Sequence, residues 1–246
     1  MCSGLTGVQP CCLPIARRCR RSEPRGPGLK TASTNTTGLR ARIEALRVIP
    51  VLRLGERGEA ERAIDCLLEA GFGSVEITLT TPDAVGLIAA LRRRVAADFL
   101  VGAGTVLDLD QARRCLGAGA DYLVSPCLVP GLAQTARDAG AAALIGGFTP
   151  GEVLAAWREG AEIVKVFPAS SGGVTHLAAL HAIFPDIPLC PTGGVSRENM
   201  LDFFKAGACV VGVGNNVIDR AALAAADYAR VVAHAKGFLE VAARRA

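Results

Sequence analysis

From residue 48 onward the chain carries eight short runs of strand-forming residues, at 48–54, 74–79, 99–106, 122–125, 142–147, 163–167, 188–191 and 209–214. Amphipathic helical stretches lie between them, so one strand-plus-helix unit recurs at intervals of roughly 20 to 30 residues. Residues 81–91 read as one such helix, with Thr81 as N-cap and Pro82 at the first helical position. Ala70-Gly71, Ala118-Gly119, Ala139-Gly140 and Ala206-Gly207 close helices by placing glycine where a left-handed residue is wanted before the next strand. Eight repeats of one βα unit predict an α/β fold of the closed (β/α)8 TIM-barrel type over residues 39–246. A doubly wound open sheet is the alternative. No Gly-x-Gly-x-x-Gly follows the first strand, which counts against a dinucleotide fold.

In a closed barrel the chemistry gathers at the C-terminal ends of the strands. Lys165, in Ile163-Val164-Lys165-Val166-Phe167-Pro168, is the only lysine inside an apolar strand-like run; Lys30, Lys205 and Lys236 occupy solvated contexts. A desolvated amine is a nucleophile, which makes Lys165 the candidate for a Schiff base. Its structural alternative is a lysine that snorkels out of the sheet or pairs with a buried acid. Glu76, in Val75-Glu76-Ile77-Thr78-Leu79, is such an acid. It is either an ion-pair partner of Lys165 or a proton shuttle beside it. Arg53, Thr105, Thr192 and Asn215 are the other polar residues that interrupt the apolar strands at the same face.

Two glycine clusters, Pro191-Thr192-Gly193-Gly194-Val195-Ser196 and Gly212-Val213-Gly214-Asn215, end the last two strands. Glycine at a strand-to-helix turn is often structural. Two clusters on adjacent strands instead suit a phosphate, because backbone N–H groups can approach an anion and a following helix N-terminus adds its dipole.

The remaining composition narrows the classes. The 246 residues carry a formal charge of +4. Much of the excess sits at Arg17, Arg18, Arg20, Arg21 and Arg25, which is too local to predict nucleic-acid binding by the folded part. No apolar run reaches bilayer length, so no membrane partner is expected. The nine cysteines are scattered singly and read as reduced thiols. Neither they nor His176, His181 and His234 have metal-ligand spacing, and no metal or cofactor is expected. Residues 1–38 combine Arg, Ser, Thr, Pro and Gly without periodicity and read as a disordered or removable segment. If it is not an organellar transit peptide, the protein is expected in the cytoplasm.

Val75-Glu76-Ile77-Thr78-Leu79, Gly102-Ala103-Gly104-Thr105-Val106, Val164-Lys165-Val166-Phe167-Pro168 and Pro191-Thr192-Gly193-Gly194, in that order, resemble the 2-keto-3-deoxy-6-phosphogluconate (KDPG) / 4-hydroxy-2-oxoglutarate (KHG) aldolases. The likeness covers about residues 40–220. It implies a metal-independent class I aldolase, a homotrimer of (β/α)8 barrels, that cleaves a 2-keto-3-deoxy-6-phosphosugar acid into pyruvate and glyceraldehyde 3-phosphate. It also implies Lys165 as the Schiff-base lysine, Glu76 as acid/base, Thr105 as a carboxylate contact, and Gly193 and Gly194, with Gly214 and Asn215, at the phosphate.

Two departures stand out. The phosphogluconate enzymes resemble Glu-Val-Thr-Leu-Arg, whereas this chain has Thr80 in place of that carboxylate-binding arginine. Arg53, at the end of the neighbouring strand, is positioned in sequence to replace it, as in the related phosphogalactonate aldolases; otherwise it is a plain exposed arginine. Asn215 replaces a phosphate-site serine and keeps a donor. Thr192 resembles the phosphogluconate enzymes, where its hydroxyl contacts the C4 hydroxyl. A phosphosugar isomerase or epimerase on the same barrel, and a catalytically silent phosphate-binding protein, are the competing classes.

Overall fold

The computed structural model describes residue 1 and residues 34–245. The barrel unit spans Ala32–Ala246. Most of the segment read as disordered or removable lies outside the described residues, but its last part, from Thr34, is helical. Eight strands appear where the eight runs were read: β1 (Val48–Leu52), β2 (Ser74–Thr78), β3 (Leu100–Gly104), β4 (Tyr122–Val124), β5 (Ala142–Gly147), β6 (Ile163–Val166), β7 (Leu189–Pro191) and β8 (Val211–Val213). Each is parallel to its neighbours in the order β7-β6-β5-β4-β3-β2-β1-β8. A parallel bridge between Thr192 and Gly212 joins the two ends and closes the barrel.

Helix α1 (Thr34–Leu46) precedes β1, and α2 (Arg57–Glu69), α3 (Ala84–Arg94), α4 (Leu109–Gly117), α5 (Leu132–Asp138), α6 (Pro150–Glu159), α7 (Ala169–Ile183) and α8 (Met200–Lys205) follow successive strands. A 3-10 turn (Asn215–Val217), α9 (Arg220–Ala224) and α10 (Tyr228–Ala242) complete the chain. Gly71, Gly119, Gly140 and Gly207 all take positive φ after their helices, as the Ala-Gly pattern predicts. Helix α3 differs from expectation. Its first residue is Ala84, with Asp83 at the N-cap in a left-handed conformation of φ 52°. Thr81 is instead buried beneath the turn, where its hydroxyl lies 3.4 Å from the Leu54 N–H that donates to it. That contact ties the end of β1 to the loop after β2.

Side chains alternate between two cores, as the period of two in a strand requires. Ile49, Leu100, Tyr122, Leu144, Ile163 and Cys190 point inward and meet Leu39 and Ile43 of α1. Several of these begin their strands, so α1 closes the N-terminal end of the barrel. Val48, Val75, Val101, Leu123, Ala143 and Val164 point outward beneath the helices. Inside the barrel the fully buried Tyr122 hydroxyl is 2.8 Å from Ser74 Oγ. Without that partner a phenol in this position would cost about 1–3 kcal/mol. The five described cysteines, Cys66, Cys115, Cys127, Cys190 and Cys209, are free thiols. No helix among the described residues is long and apolar enough to cross a membrane.

Candidate active site

Apart from the hydrogen-bonded Ser74–Tyr122 pair the N-terminal end is filled by apolar side chains, so the charged inward residues lie toward the other end. Register fixes which residues do so. On β2 the inward row is Ser74, Glu76 and Thr78, with Glu76 paired to Val51 of β1 and Gly102 of β3. On β6 it is Ile163 and Lys165, with Lys165 paired to Gly146 and Cys190. On β7 it is Cys190 and Thr192, and on β1 the row Ile49, Val51 continues into Arg53, just past the strand.

Glu76 is 3% exposed and Lys165 6%. Burial raises the Glu76 pKa above the usual carboxylate value, and the charges of Lys165 and Arg53 act against that rise. Strands six and one thus both present a cation to this acid. No ion pair within 4.0 Å joins Glu76 to Lys165 among the described residues, and the buried Glu76 Oε1 has no hydrogen-bond partner. An oxygen buried without a partner favours the neutral carboxyl, in keeping with the raised pKa. Lys165 Nζ stands 5.3 Å from the centre of the Phe167 ring. Beside it, burial pushes the Cys190 thiol up to about 11, against the pull of Thr192, whose Oγ1 lies 3.8 Å from Sγ, and of Lys165. Cys190 is therefore a neutral thiol at neutral pH.

Close approach explains two glycines in the inward rows. A Cβ on Gly104 would collide with Glu76 Oε1, and one on Gly212 would collide with Thr192 Oγ1. Gly104→Ala is expected to displace the Glu76 carboxylate and to destabilise the barrel by about 1–3 kcal/mol, the usual cost of overpacking. Turnover and thermal unfolding measured on the same preparation check this. An unchanged kcat with an unchanged Tm would show that Glu76 does not rest against β3.

Arg53 is exposed at the end of β1, where it shares a narrow cleft with Gly214. Thr80, in place of the missing arginine, turns back so that its hydroxyl lies 2.9 Å from Thr78 Oγ1. Thr78 in turn donates to the Leu52 carbonyl at 2.9 Å. The positions of Thr80 and Arg53 are thereby neighbours. Thr105 follows β3 and is half-buried.

The two glycine clusters are brought together. Gly193 and Gly194 have φ of 88° and 80°, which favours glycine. Asn216, one residue past Asn215, donates from Nδ2 to the Val195 carbonyl at 3.2 Å and so ties the loop after β7 to the turn after β8. The helix that packs on the glycine loop after β7 is not the one that follows it in sequence. Helix α8 starts only at Met200, whereas the first turn of α7 packs on this loop, with Ala169 N–H donating to the Thr192 carbonyl at 2.8 Å. A Cβ on Gly194 would fall 2.7 Å from Ser170 Cβ.

Sequence reasoning missed Phe167, Cys190 and Ser170. Phe167 and Cys190 were hidden because an apolar residue in a strand looks like core until the inward row is known. A flank groove of about 570 Å³, lined by Glu56, Glu59, Arg62, Arg220 and Tyr228 among others, holds none of the inward-row residues.

A parallel eight-stranded barrel with a buried lysine and a buried carboxyl on the inward rows, toward the C-terminal ends of its strands, defines a (β/α)8-barrel enzyme as the class. The comparisons narrow it. A family model described as "Aldolase: KDPG and KHG aldolase" matches residues 39–234. The chain belongs to the KDPG and KHG aldolase family. It is 36% identical over 171 residues to a probable 2-dehydro-3-deoxy-6-phosphogalactonate aldolase of Rhizobium meliloti, covering 69% of this chain and 81% of that one. It is 35% identical over 197 residues to a 2-dehydro-3-deoxy-phosphogluconate aldolase of Pseudomonas aeruginosa, covering 78% and 89%. Among solved structures it matches a KDPG aldolase of Legionella pneumophila, holding pyruvate captured at low pH as a covalent carbinolamine intermediate. The TM-score is 0.71 at 26% identity, covering 84% of this chain and 98% of that one.

Proposed function

We propose that the protein is a class I aldolase that cleaves 2-keto-3-deoxy-6-phosphogluconate into pyruvate and glyceraldehyde 3-phosphate through a Schiff base on Lys165. The observation that carries this reading is the pairing of buried Lys165 with a buried Glu76 whose Oε1 is left without a partner, in a chain of this family. The free-base amine of Lys165 adds to the C2 ketone, and Glu76 moves protons as the carbinolamine loses water to give the imine. The protonated imine is the electron sink. Glu76, through water, takes the C4 hydroxyl proton; the C4 oxygen becomes the aldehyde carbonyl of glyceraldehyde 3-phosphate, the C3–C4 bond breaks, and its electron pair passes into the imine to give the enamine. Glu76, through water, returns a proton to C3, and water then releases pyruvate from Lys165.

Arg53 and Thr105 hold the carboxylate in this reading, and Thr192 contacts the C4 hydroxyl. Gly193, Gly194, Gly214 and Asn215 surround the phosphate, and the active form is a homotrimer. Arg53→Ala is expected to weaken pyruvate and the full substrate by roughly 1.5–3 kcal/mol, the scale of a hydrogen bond to a charged group. Thr80→Arg in that background is expected to recover part of the loss, because Thr80 and Arg53 are neighbours across Thr78 and Leu52. Calorimetric titration with pyruvate decides it; unchanged affinity would assign the carboxylate to Thr105 and backbone donors.

A second reading, the phosphogalactonate epimer, is favoured by Arg53 and by the Rhizobium meliloti relative. Thr192 outweighs it, because that side chain reads the stereocentre whereas Arg53 binds a group common to both substrates. Assaying both epimers with a pyruvate-coupled readout tests the assignment. A kcat/KM higher for the galactonate epimer would overturn it.

A further inference from the structure

Arg53 has an exposed side chain, so packing does not set its direction; the backbone that carries it does. No ion pair within 4.0 Å joins it to an acid among the described residues. The inward row Ile49, Val51 reaches Arg53 only if the chain stays extended for one residue past β1. By register the rung after Leu52 and Ile77 would pair Arg53 with Thr78, with the Thr78 carbonyl taking the Leu54 N–H. The turn after β2 diverts that acceptor, because the Thr78 carbonyl accepts from Thr81 N–H at 2.9 Å.

Two hydroxyls replace the diverted rung. Thr78 Oγ1 donates to the Leu52 carbonyl at 2.9 Å. Thr81 Oγ1 accepts from the Leu54 N–H at 3.4 Å and lies 3.5 Å from the same Leu52 carbonyl. The peptide groups on both sides of Arg53 are thus tied to the chain that leaves β2. Both threonines are buried, so these bonds satisfy backbone groups that water does not reach. A hydroxyl has a single proton to give. That of Thr78 goes to Leu52, which leaves Thr80 to donate across the 2.9 Å contact between their hydroxyls. The residue that stands in place of the missing arginine therefore belongs to the support of Arg53.

We propose that Thr81, with Thr78, is a positioning residue that aims Arg53 at the substrate carboxylate. This rests on the reading of Arg53 as the cation that holds that carboxylate. Thr81 acts through the backbone on either side of Arg53. The carboxylate is common to substrate and transition state, so a misdirected Arg53 raises KM and weakens pyruvate while kcat at saturation stays near that of the wild type.

Calorimetric titration with pyruvate and steady-state kinetics test it, each in the wild-type and in the Arg53→Ala background. Thr81→Val and Thr81→Ala both remove the hydroxyl, and Thr81→Ser keeps it. The first two are expected to weaken pyruvate by about three- to tenfold, the scale of one hydrogen bond, with kcat within about twofold. Thr81→Ser is expected to stay within about twofold of the wild type in both measurements. In the Arg53→Ala background the loss of the hydroxyl is expected to add nothing, because the side chain it aims is gone. A loss of equal size in both backgrounds would overturn the proposal and make Thr81 a general support of the barrel rim. So would wild-type pyruvate affinity without the hydroxyl, a loss confined to kcat, or a Thr81→Ser enzyme as weak as Thr81→Val. Unchanged pyruvate affinity in Arg53→Ala alone would defeat the reading of Arg53 itself, and the proposal with it, a result visible before any threonine is changed.

Discussion

Lys165→Arg is expected to lose turnover by four orders of magnitude or more, about the scale on which enzymes suffer when a covalent nucleophile is removed. Arginine keeps a positive charge in the barrel mouth but stays protonated and cannot form the imine. The fold is expected to survive, because the position lies next to Gly146 and at the polar end of the inward row. Borohydride added with pyruvate should fix irreversible mass on the wild-type peptide that contains Lys165 and nowhere else. Peptide mass spectrometry reads this directly. Label on Lys205 or Lys236 would sink the assignment. Absence of label with cleavage retained would favour an isomerase-like site in which Lys165 acts only through its charge.

The barrel was legible because its signal is repeated. Each strand is a β-branched or otherwise apolar run, and four of the preceding helices end in Ala-Gly with the glycine at positive φ. The strands are mostly shorter than the runs, since the ends of the runs continue into the loops that carry Arg53, Thr105 and Phe167. Helix boundaries were less legible. Thr81-Pro82 has the form of a helix start, but the Thr81 hydroxyl finds its partners on β1, and tertiary contact overrides the local pattern. The start of α1 was hidden for another reason. Thr34 to Gly38 is built from poor helix formers, and the apolar contacts that hold the helix, through Leu39 and Ile43, come only once the barrel exists to receive them.

Glu76 and Lys165 could be picked from sequence because a charge inside an apolar strand violates the pattern. What could not be picked was their mutual geometry. The alternatives for Glu76, ion pair or proton shuttle, use the same two residues, and only the distance between strands two and six separates them. Cys190 and Phe167 obey the apolar pattern and give no such signal.

Glu76→Gln is expected to trade activity for stability. Cleavage and solvent deuterium exchange into pyruvate should both slow by about a hundredfold or more, the range in which a positioned acid/base contributes. Stability should move the other way. The folded protein holds the Glu76 carboxyl at a pKa above its ordinary 4.5, chiefly through burial, so it binds this proton more tightly than the unfolded chain does. The stability linked to that proton is fully present below the ordinary pKa and is lost as pH rises through the folded one. Glutamine does not titrate and suffers no such loss. The difference in Tm between variant and wild type should therefore grow in the variant's favour from acid pH toward neutrality, each kcal/mol reading as about 2–4 °C for a chain of this size. Thermal unfolding measured across that pH range, beside the exchange rate, separates the roles. A slowed exchange with a rising Tm difference identifies a proton shuttle held at a cost to the fold. Exchange at the wild-type rate, with Tm falling at every pH, would make Glu76 a structural partner of Lys165 and return the acid/base role to a water or to another group at the mouth.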